Sequence, residues 1–259
     1  MLGKKHIVIP DTQTRPGQDF TYLDHIGRLI VDERPDVICH LGDHADMPSL
    51  STHDKAGSKY FEGKRYKEDI EAARVSMGRL LAPLKELQSR QRKNKEKVYK
   101  PRLVFTTGNH EMRIDRAVDN NPVLEGVISR ADLQYEKDWE VYGFLDVVVV
   151  DGIAYSHYFP SGAMGRPCAT AASLLNKHHM SCIAGHQQGR QVAYGKSADG
   201  RHLTCIIAGS SYPHDEHYLS SQTNNHWRGV VVLSNVSNGQ YDEHFVSLNT
   251  LRQMYGGTE

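Results

Sequence analysis

The chain repeats one unit, a short apolar β-branched run that stops at a polar cluster. The runs are HIVI (6–9), DVICHL (36–41), RLVFTT (102–107), VVVV (147–150), IAYSH (153–157), SCIAG (181–185), LTCIIAG (203–209) and GVVVLSNV (229–236). Most are continuously hydrophobic, as strands covered on both faces are. Helical patterns separate the first three. From Gln18 to Glu33, Phe20, Leu23, Ile26, Ile30 and Val31 fall at three- and four-residue spacing, and Pro35 stops the pattern. From Tyr66 to Arg92 a second stripe runs through Ile70, Ala73, Met77, Leu80, Leu81, Leu84 and Leu87, with a kink expected at Pro83. Strand–helix–strand alternation predicts parallel crossovers in the first half. In the second half, AYGKSADGRHL and NVSNGQYDEHF each hold a DG or NG turn between apolar runs, which predicts two hairpins and a more antiparallel half. The expected class is α/β, in a single domain over residues 1–259, with 249–259 a weakly ordered tail.

Composition narrows the function classes. Lys plus Arg and Asp plus Glu both number 31, so no global charge calls for a nucleic acid or a membrane surface. Four scattered cysteines without a CxxC pair suit a reduced, cytoplasmic protein. No run approaches the ~18 apolar residues of a membrane helix. One segment breaks the even charge: SRQRKNKEKVYKPR (89–102) is basic. It reads as a solvated helix end and loop, or else as a surface for phosphate backbones.

Five of the runs end in groups that can bind a cation. They are Asp11 and Gln13, Asp43 and Asp46, Asn109 with His110 and Glu111, His157, and His186 with Gln188. In a parallel sheet the carboxyl ends of the strands share one edge, so these clusters are expected to converge. Gly42, Gly108 and Gly185 precede three of them and permit close backbone approach. Each cluster alone has a plainer reading: a helix cap for a lone Asp, a turn for GDHAD, a satisfied core residue for a lone His. Their joint occurrence at strand ends favours a site for divalent cations of borderline hardness.

The strings GDHAD, GNHE and GHQQ, with Asp11-x-Gln13 before them and an isolated Ser156-His157 between, resemble the calcineurin-like metallophosphoesterases. The motifs run from Asp11 to Gln188, and PDTQTRPG, LGDHADMPSLS, GNHEMRIDRA and HWRG are most similar to versions carried by bacteriophages. The resemblance implies a four-layer α/β/β/α sandwich of two facing mixed sheets. It implies that Asp11 binds metal one, that Asp43 bridges two metals, and that Asn109, His157 and His186 complete metal two. His110 becomes the general acid beside the scissile phosphate, Asp46 orients its ring, and metal-activated hydroxide attacks phosphorus. Arg113 and His53 are the candidate substrate-binding residues; a salt-bridged surface helix explains Arg113 as well.

The family carries histidine where Gln13 and Gln188 stand. Both belong to metal one, so that site keeps only oxygen donors. It is expected to be weaker than metal two, or lost. Manganese is the expected ion, with magnesium, nickel, iron or zinc as alternatives. The expected function is hydrolysis of a phosphodiester in a nucleotide or nucleic acid, in the host cytoplasm if phage-encoded. The alternatives are a phosphomonoesterase and a non-catalytic binding protein. Met47 stands where protein phosphatases of this family carry an arginine, which disfavours a protein phosphatase.

Overall fold

The structure, a computed structural model, describes residues 3–52, 62–216 and 220–257. His53 lies outside the described residues. The elements in chain order are β1 (Lys4–Ile9), α1 (Thr21–Glu33), β2 (Val37–His40), α2 (Tyr66–Lys93), β3 (Arg102–Thr106), α3 (Met112–Asn120), β4 (Glu140–Tyr142), β5 (Val148–Val150), β6 (Ile153–Ser156), α4 (Ala171–His178), β7 (Cys182–Ala184), β8 (Gln191–Lys196), β9 (His202–Ile207), α5 (Ser221–Asn224), β10 (Gly229–Ser237), β11 (Gln240–Ser247) and α6 (Leu248–Tyr255). They build two mixed sheets, ordered β11-β10-β1-β2-β3-β4 and β5-β6-β7-β9-β8.

Neighbouring residues on each central strand enter different cores, as the two-residue period of a strand requires. In the first sheet Ile7, Ile9, Ile38, Phe105, Val230 and Val232 pack against α1, α2 and α6. The alternate residues Val8, Cys39, Val104, Val231 and Leu233 face the second sheet, where they meet Val148, Val150, Ile153, Tyr155, Ile183 and Ile206. On the far face of the second sheet, Ala154, Cys182, Ala184 and Cys205 pack with Leu174 of α4. The result is helices, sheet, sheet and helix, in four layers. This explains why the central strands read as unbroken apolar runs: both of their faces are covered.

The helices follow their stripes. α1 buries Tyr22, Leu23, Ile26, Leu29 and Ile30, and ends where Arg34 turns left-handed (φ 47°) ahead of Pro35. α2 runs through Pro83, and α1 crosses it closely at Gly27, where an added Cβ would lie 2.5 Å from the Leu80 carbonyl oxygen.

Two expectations need correction. The tail is not weakly ordered through 249–257, because α6 occupies most of it. Ser247 caps that helix by accepting from Thr250 N–H at 3.0 Å, Leu251 is fully buried, and Arg28 Nη1 donates to the Tyr255 carbonyl at 2.7 Å. A short amphipathic turn after a strand carries little periodicity, and only its docking on α1 reveals it. The second half is also less antiparallel than its turns suggest. β10 crosses back to pair antiparallel with β1, while β6, β7 and β9 are mutually parallel. Both hairpins, β8–β9 and β10–β11, form as expected.

The basic segment 89–102 leads into the start of β3, whereas the GNHE motif follows the end of β3. It therefore sits at the opposite edge of the sheet from the polar clusters. Among the described residues, no helix is long and apolar enough to cross a membrane.

Candidate metal centre

Asp11, Asp43, Asn109, His157 and His186 all follow the carboxyl ends of parallel strands, namely β1, β2, β3, β6 and β7. Close backbone packing brings these ends together. Thr12 and Gln13 both donate N–H to the Asp43 carbonyl, at 3.2 and 2.9 Å, and Thr14 donates to the His44 carbonyl at 2.7 Å. At Gly108 an added Cβ would fall 2.1 Å from Asp43 Oδ1, so only glycine admits the carboxylate there. Gly42 (φ 87°) is confined in the same way by the Thr106 carbonyl oxygen, 2.3 Å from an added Cβ. Gln13, Asp43 and His186 themselves adopt left-handed backbone, at φ 39°, 48° and 66°. Such conformations cost on the order of 1–2 kcal/mol each in a non-glycine residue and concentrate at functional sites.

The ligating atoms of Asp43, His157 and His186 lie within 4.8 Å of one another. Asn109 Oδ1 stands 2.9 Å from His157 Nε2 and 2.8 Å from His186 Nδ1, and Asp43 Oδ2 is 3.4 Å from His157 Nε2. The tautomer of His157 is fixed by its other nitrogen. Nδ1 is 2.7 Å from the Leu41 carbonyl, which can only accept, so Nδ1 carries the proton and Nε2 presents a lone pair. Burial lowers the pKa of His157, and burial followed by the charge of His157 pulls His186 down to about 4. Both rings are neutral at pH 7. The His157 lone pair, the Asp43 carboxylate, the Asn109 amide oxygen and the His186 ring thus face one another. Two nitrogens and two oxygens suit a cation of borderline hardness, so the residues fit a divalent transition metal.

His110 is built for a different task. Its backbone N–H donates to Asp43 Oδ1 at 2.8 Å, and its Nδ1 lies 2.8 Å from Asp46 Oδ1. Burial lowers its pKa, but the carboxylates of Asp43 and Asp46 outweigh burial and push it up to about 9. Asp46 is held down at about 2 against its own burial, chiefly by the hydrogen bond and charge of His110. His110 is thus a cation at neutral pH, next to imidazoles that are not. Arg113 joins the pair: Nη1 donates to the Asp46 carbonyl at 2.7 Å and Nη2 lies 3.3 Å from His110 Nε2. Arg116 instead donates to the Asn109 carbonyl at 2.6 Å.

Asp11 and Gln13 are both buried, and among the described residues Asp11 Oδ2 and Gln13 Oε1 have no hydrogen-bond partner. Asp11 Oδ1 accepts from His186 N–H at 3.0 Å. Burial and then the charge of Asp43 raise the pKa of Asp11 well above the carboxylate range. For Asp43 burial acts in the same direction, but the imidazoles of His110 and His157 prevail and lower it. Gln188 is half-buried, and no side-chain hydrogen bond joins it to another described residue. Its carbonyl oxygen would lie 3.2 Å from a Cβ added at Gly209.

Two contributors escape a sequence reading. Glu111, the last residue of GNHE, is buried and accepts from the N–H groups of Asp43, Gly108 and Ala45 at 2.9, 2.9 and 3.0 Å, so it clamps the two ligand loops together. Burial and then Asp43 raise its pKa to about 7. The signal was present in the motif, but only the fold shows what the carboxylate holds. Arg15 lies 3.5 Å from Asp46 Oδ2 and 3.4 Å from Glu216 Oε1, which links the His110 pair to a loop about two hundred residues away in sequence. No sequence signal marks that pairing.

No family model matches the chain. Two bacteriophage proteins are similar to it. The Gene 54 protein of Mycobacterium phage D29 is 35% identical over 112 residues, which cover 43% of this chain and 38% of that protein. The Gene 54 protein of Mycobacterium phage L5 is 28% identical over 193 residues, which cover 71% of this chain and 69% of that protein. The chain therefore spans well under half of the first relative's length and about two thirds of the second's.

Proposed function

We propose that this chain is a metal-dependent phosphoester hydrolase of the calcineurin-like metallophosphoesterase type. One observation carries the reading. A cation-ready group of Asp43, Asn109, His157 and His186 lies beside a histidine held protonated by Asp46. Neutral imidazoles and a charged acid, set apart by environment within one site, are the division of labour that hydrolysis of a phosphate ester needs.

Asn109, His157, His186 and Asp43 would hold the ion. When bound, a divalent ion polarises a phosphoryl oxygen and lowers the pKa of water. His110 donates a proton from Nε2 to the leaving oxygen, and Asp46 keeps the ring in register through Nδ1. The Arg113 guanidinium beside His110 places positive charge where phosphoryl oxygens gather. Within this reading a phosphodiester of nucleotide size is favoured over a long polynucleotide, since the basic segment 89–102 lies at the far edge of the sheet.

The test is hydrolysis of an aryl phosphodiester and the matching monoester by metal-stripped protein given Mn²⁺, Mg²⁺, Ni²⁺ or Zn²⁺. Turnover of the diester that depends on Mn²⁺ and vanishes with chelator is expected. Rates at the uncatalysed background with every ion would overturn the reading and favour a non-catalytic binding protein. A monoester preference would replace the diester assignment.

A further inference from the structure

Resting on the reading above, the arginine on the Asp46 side of His110 can be given a task. Arg15 lies on the loop after β1, and backbone bonds tie that loop to the Asp46 loop. Thr14 N–H donates to the His44 carbonyl at 2.7 Å, and Asp46 N–H donates to the Thr14 carbonyl at 3.0 Å. Pro16 and Gly17 (φ 78°) then reverse the chain, and Gln18 returns to accept from the Arg15 N–H through Oε1 at 3.3 Å. Gln18 Nε2 donates to His214 Nδ1 at 2.7 Å, so His214 carries its proton on Nε2 and donates from there to Glu216 Oε1 at 2.9 Å. The His214 ring stacks on Tyr212, with centroids 4.4 Å apart. Glu216 is 5% exposed, and Asn224 clamps its main chain: Oδ1 accepts from the Glu216 N–H and Nδ2 donates to the Glu216 carbonyl, both at 2.9 Å. Glu216 Oε1 accepts from Arg15 Nη2 at 3.4 Å, while Arg15 Nη1 lies 3.5 Å from Asp46 Oδ2. A chain of buried and half-buried groups thus holds one guanidinium beside the His110–Asp46 pair.

Asp46 does not require that guanidinium. It already has His110 Nδ1 at 2.8 Å and Arg113 Nη1 at 3.5 Å, and among the charges that hold its pKa down Arg15 acts last, after His110 and Arg113. Glu216 does not exhaust it either. Of the five guanidinium N–H groups, only one on Nη2 makes a hydrogen bond among the described residues, and the side chain remains 24% exposed. Arg15, Arg113 and protonated His110 stand against the carboxylates of Asp46 and Glu216, while Asp43, beyond His110, belongs to the metal ligands. Charge and spare donors both call for an anion.

We propose that Arg15 seats an anionic group on the leaving half of the substrate, so that the site selects phosphodiesters whose leaving group carries a further phosphate. His110 gives its proton to the leaving oxygen, so the leaving half lies on its Asp46 side. A planar guanidinium held at one edge by Glu216 keeps N–H groups for two phosphate oxygens. Arg113, 3.3 Å from His110 Nε2, serves the scissile phosphate; Arg15, with Asp46 between it and His110, serves the next one. A short nucleotide chain with a terminal phosphate meets that description, and an aryl diester with a neutral leaving group does not.

Calorimetric titration of the full-length protein as purified, with a nucleoside 3′,5′-bisphosphate and with the 3′- and 5′-monophosphates, reads the seat without turnover. Wild type should bind the bisphosphate about tenfold more tightly than either monophosphate. Arg15→Met keeps an unbranched side chain and removes the charge. In it the preference should vanish, while bound metal stays at the wild-type level. Glu216→Gln retains Arg15 but loosens its hold, and should reduce the preference by a smaller factor. In turnover of a dinucleotide with a terminal phosphate, Arg15→Met should raise KM more than it lowers kcat. Equal binding of bisphosphate and monophosphates by wild type, or a preference that survives in Arg15→Met, would overturn the inference. Loss of metal together with the preference would do the same, since Arg15 would then be a structural support. A wild type that prefers the bisphosphate yet hydrolyses no diester would overturn the hydrolase reading alone.

Discussion

Two pairs of histidines lie near one another in the fold, and only one pair belongs to the candidate metal centre. His157 and His186 belong to the candidate centre. His40 and His44 lie beneath it, fully buried, with ring centroids 5.3 Å apart. Burial lowers the pKa of all four, so charge does not distinguish them. Their partners do. His40 Nδ1 accepts from Gly42 N–H at 3.2 Å, so its Nε2 carries the proton and donates to Thr12 Oγ1 at 3.2 Å. Thr12 Oγ1 donates its O–H to His44 Nδ1 at 2.7 Å, and His44 Nε2 is left to donate to the Ala73 carbonyl at 3.2 Å, with Ser76 Oγ 2.9 Å away. Every ring nitrogen in that pair is committed. In the other pair, His157 aims its unprotonated Nε2 at Asn109 Oδ1 and Asp43 Oδ2. A buried histidine is a core residue when both nitrogens are satisfied and a ligand candidate when one is aimed at another acceptor.

The largest effect should come from His110, which belongs to neither pair. His110→Ala should lower turnover by about 10²–10⁴, with metal content unchanged. Because the acid form is required, the wild-type rate should fall as pH rises towards the His110 pKa of about 9. A dication beside Asp43 offsets part of that carboxylate's pull, so the limb lies at or below that value. A rate that climbs through this range would show that His110 is not the acid.

Next in size are the ligands themselves. Asp43→Asn and His157→Ala should each weaken metal binding by about tenfold or more, while His44→Leu should leave it intact. Metal analysis of purified variants checks this. Equal metal loss in the His44 variant would erase the distinction between the two pairs.

The core pair should contribute to acid stability, as His186 does in the metal-free protein. An unfolded histidine titrates at about pH 6.5, whereas burial holds His44 at about 4 when folded. Between those values the unfolded chain binds more protons, so the contribution of His44 is complete above roughly pH 6.5 and declines as the pH falls. At pH 5 His44 alone should cost about 2 kcal/mol of stability. Urea unfolding of metal-free protein at pH 7 and pH 5 measures it, and His44→Leu should flatten the dependence. No difference between the two pH values would place His44 in a charged or exposed state.

The smallest effect is expected at Gln188. Gln188→Ala should change stability by less than about 0.5 kcal/mol and should disturb Mn²⁺ binding less than Asp43→Asn does. A loss as large as that of Asp43→Asn would make Gln188 a ligand of equal weight.

Much of this was readable before the fold. Continuous apolar runs such as VICH and CIA indicate strands covered on both faces, and polar clusters directly after them indicate a shared sheet edge. Both signals are local, because burial fixes the period and chain direction fixes which end carries the cluster. Glycine at 42 and 108 announces close backbone approach for the same reason. The α6 helix and the return of β10 to β1 were not legible, since both depend on partners far away in sequence. Within the site, residue types alone could nominate Asp11, Asp43, Asn109, His110, His157 and His186. They could not separate His44 from His157, pair Arg15 with Glu216, or assign Glu111 its three N–H donors. Those are questions of which atom faces which. A side chain's lone pair has a direction only after the backbone beneath it has been placed, and that placement is set by packing between two sheets whose strands come from opposite ends of the chain.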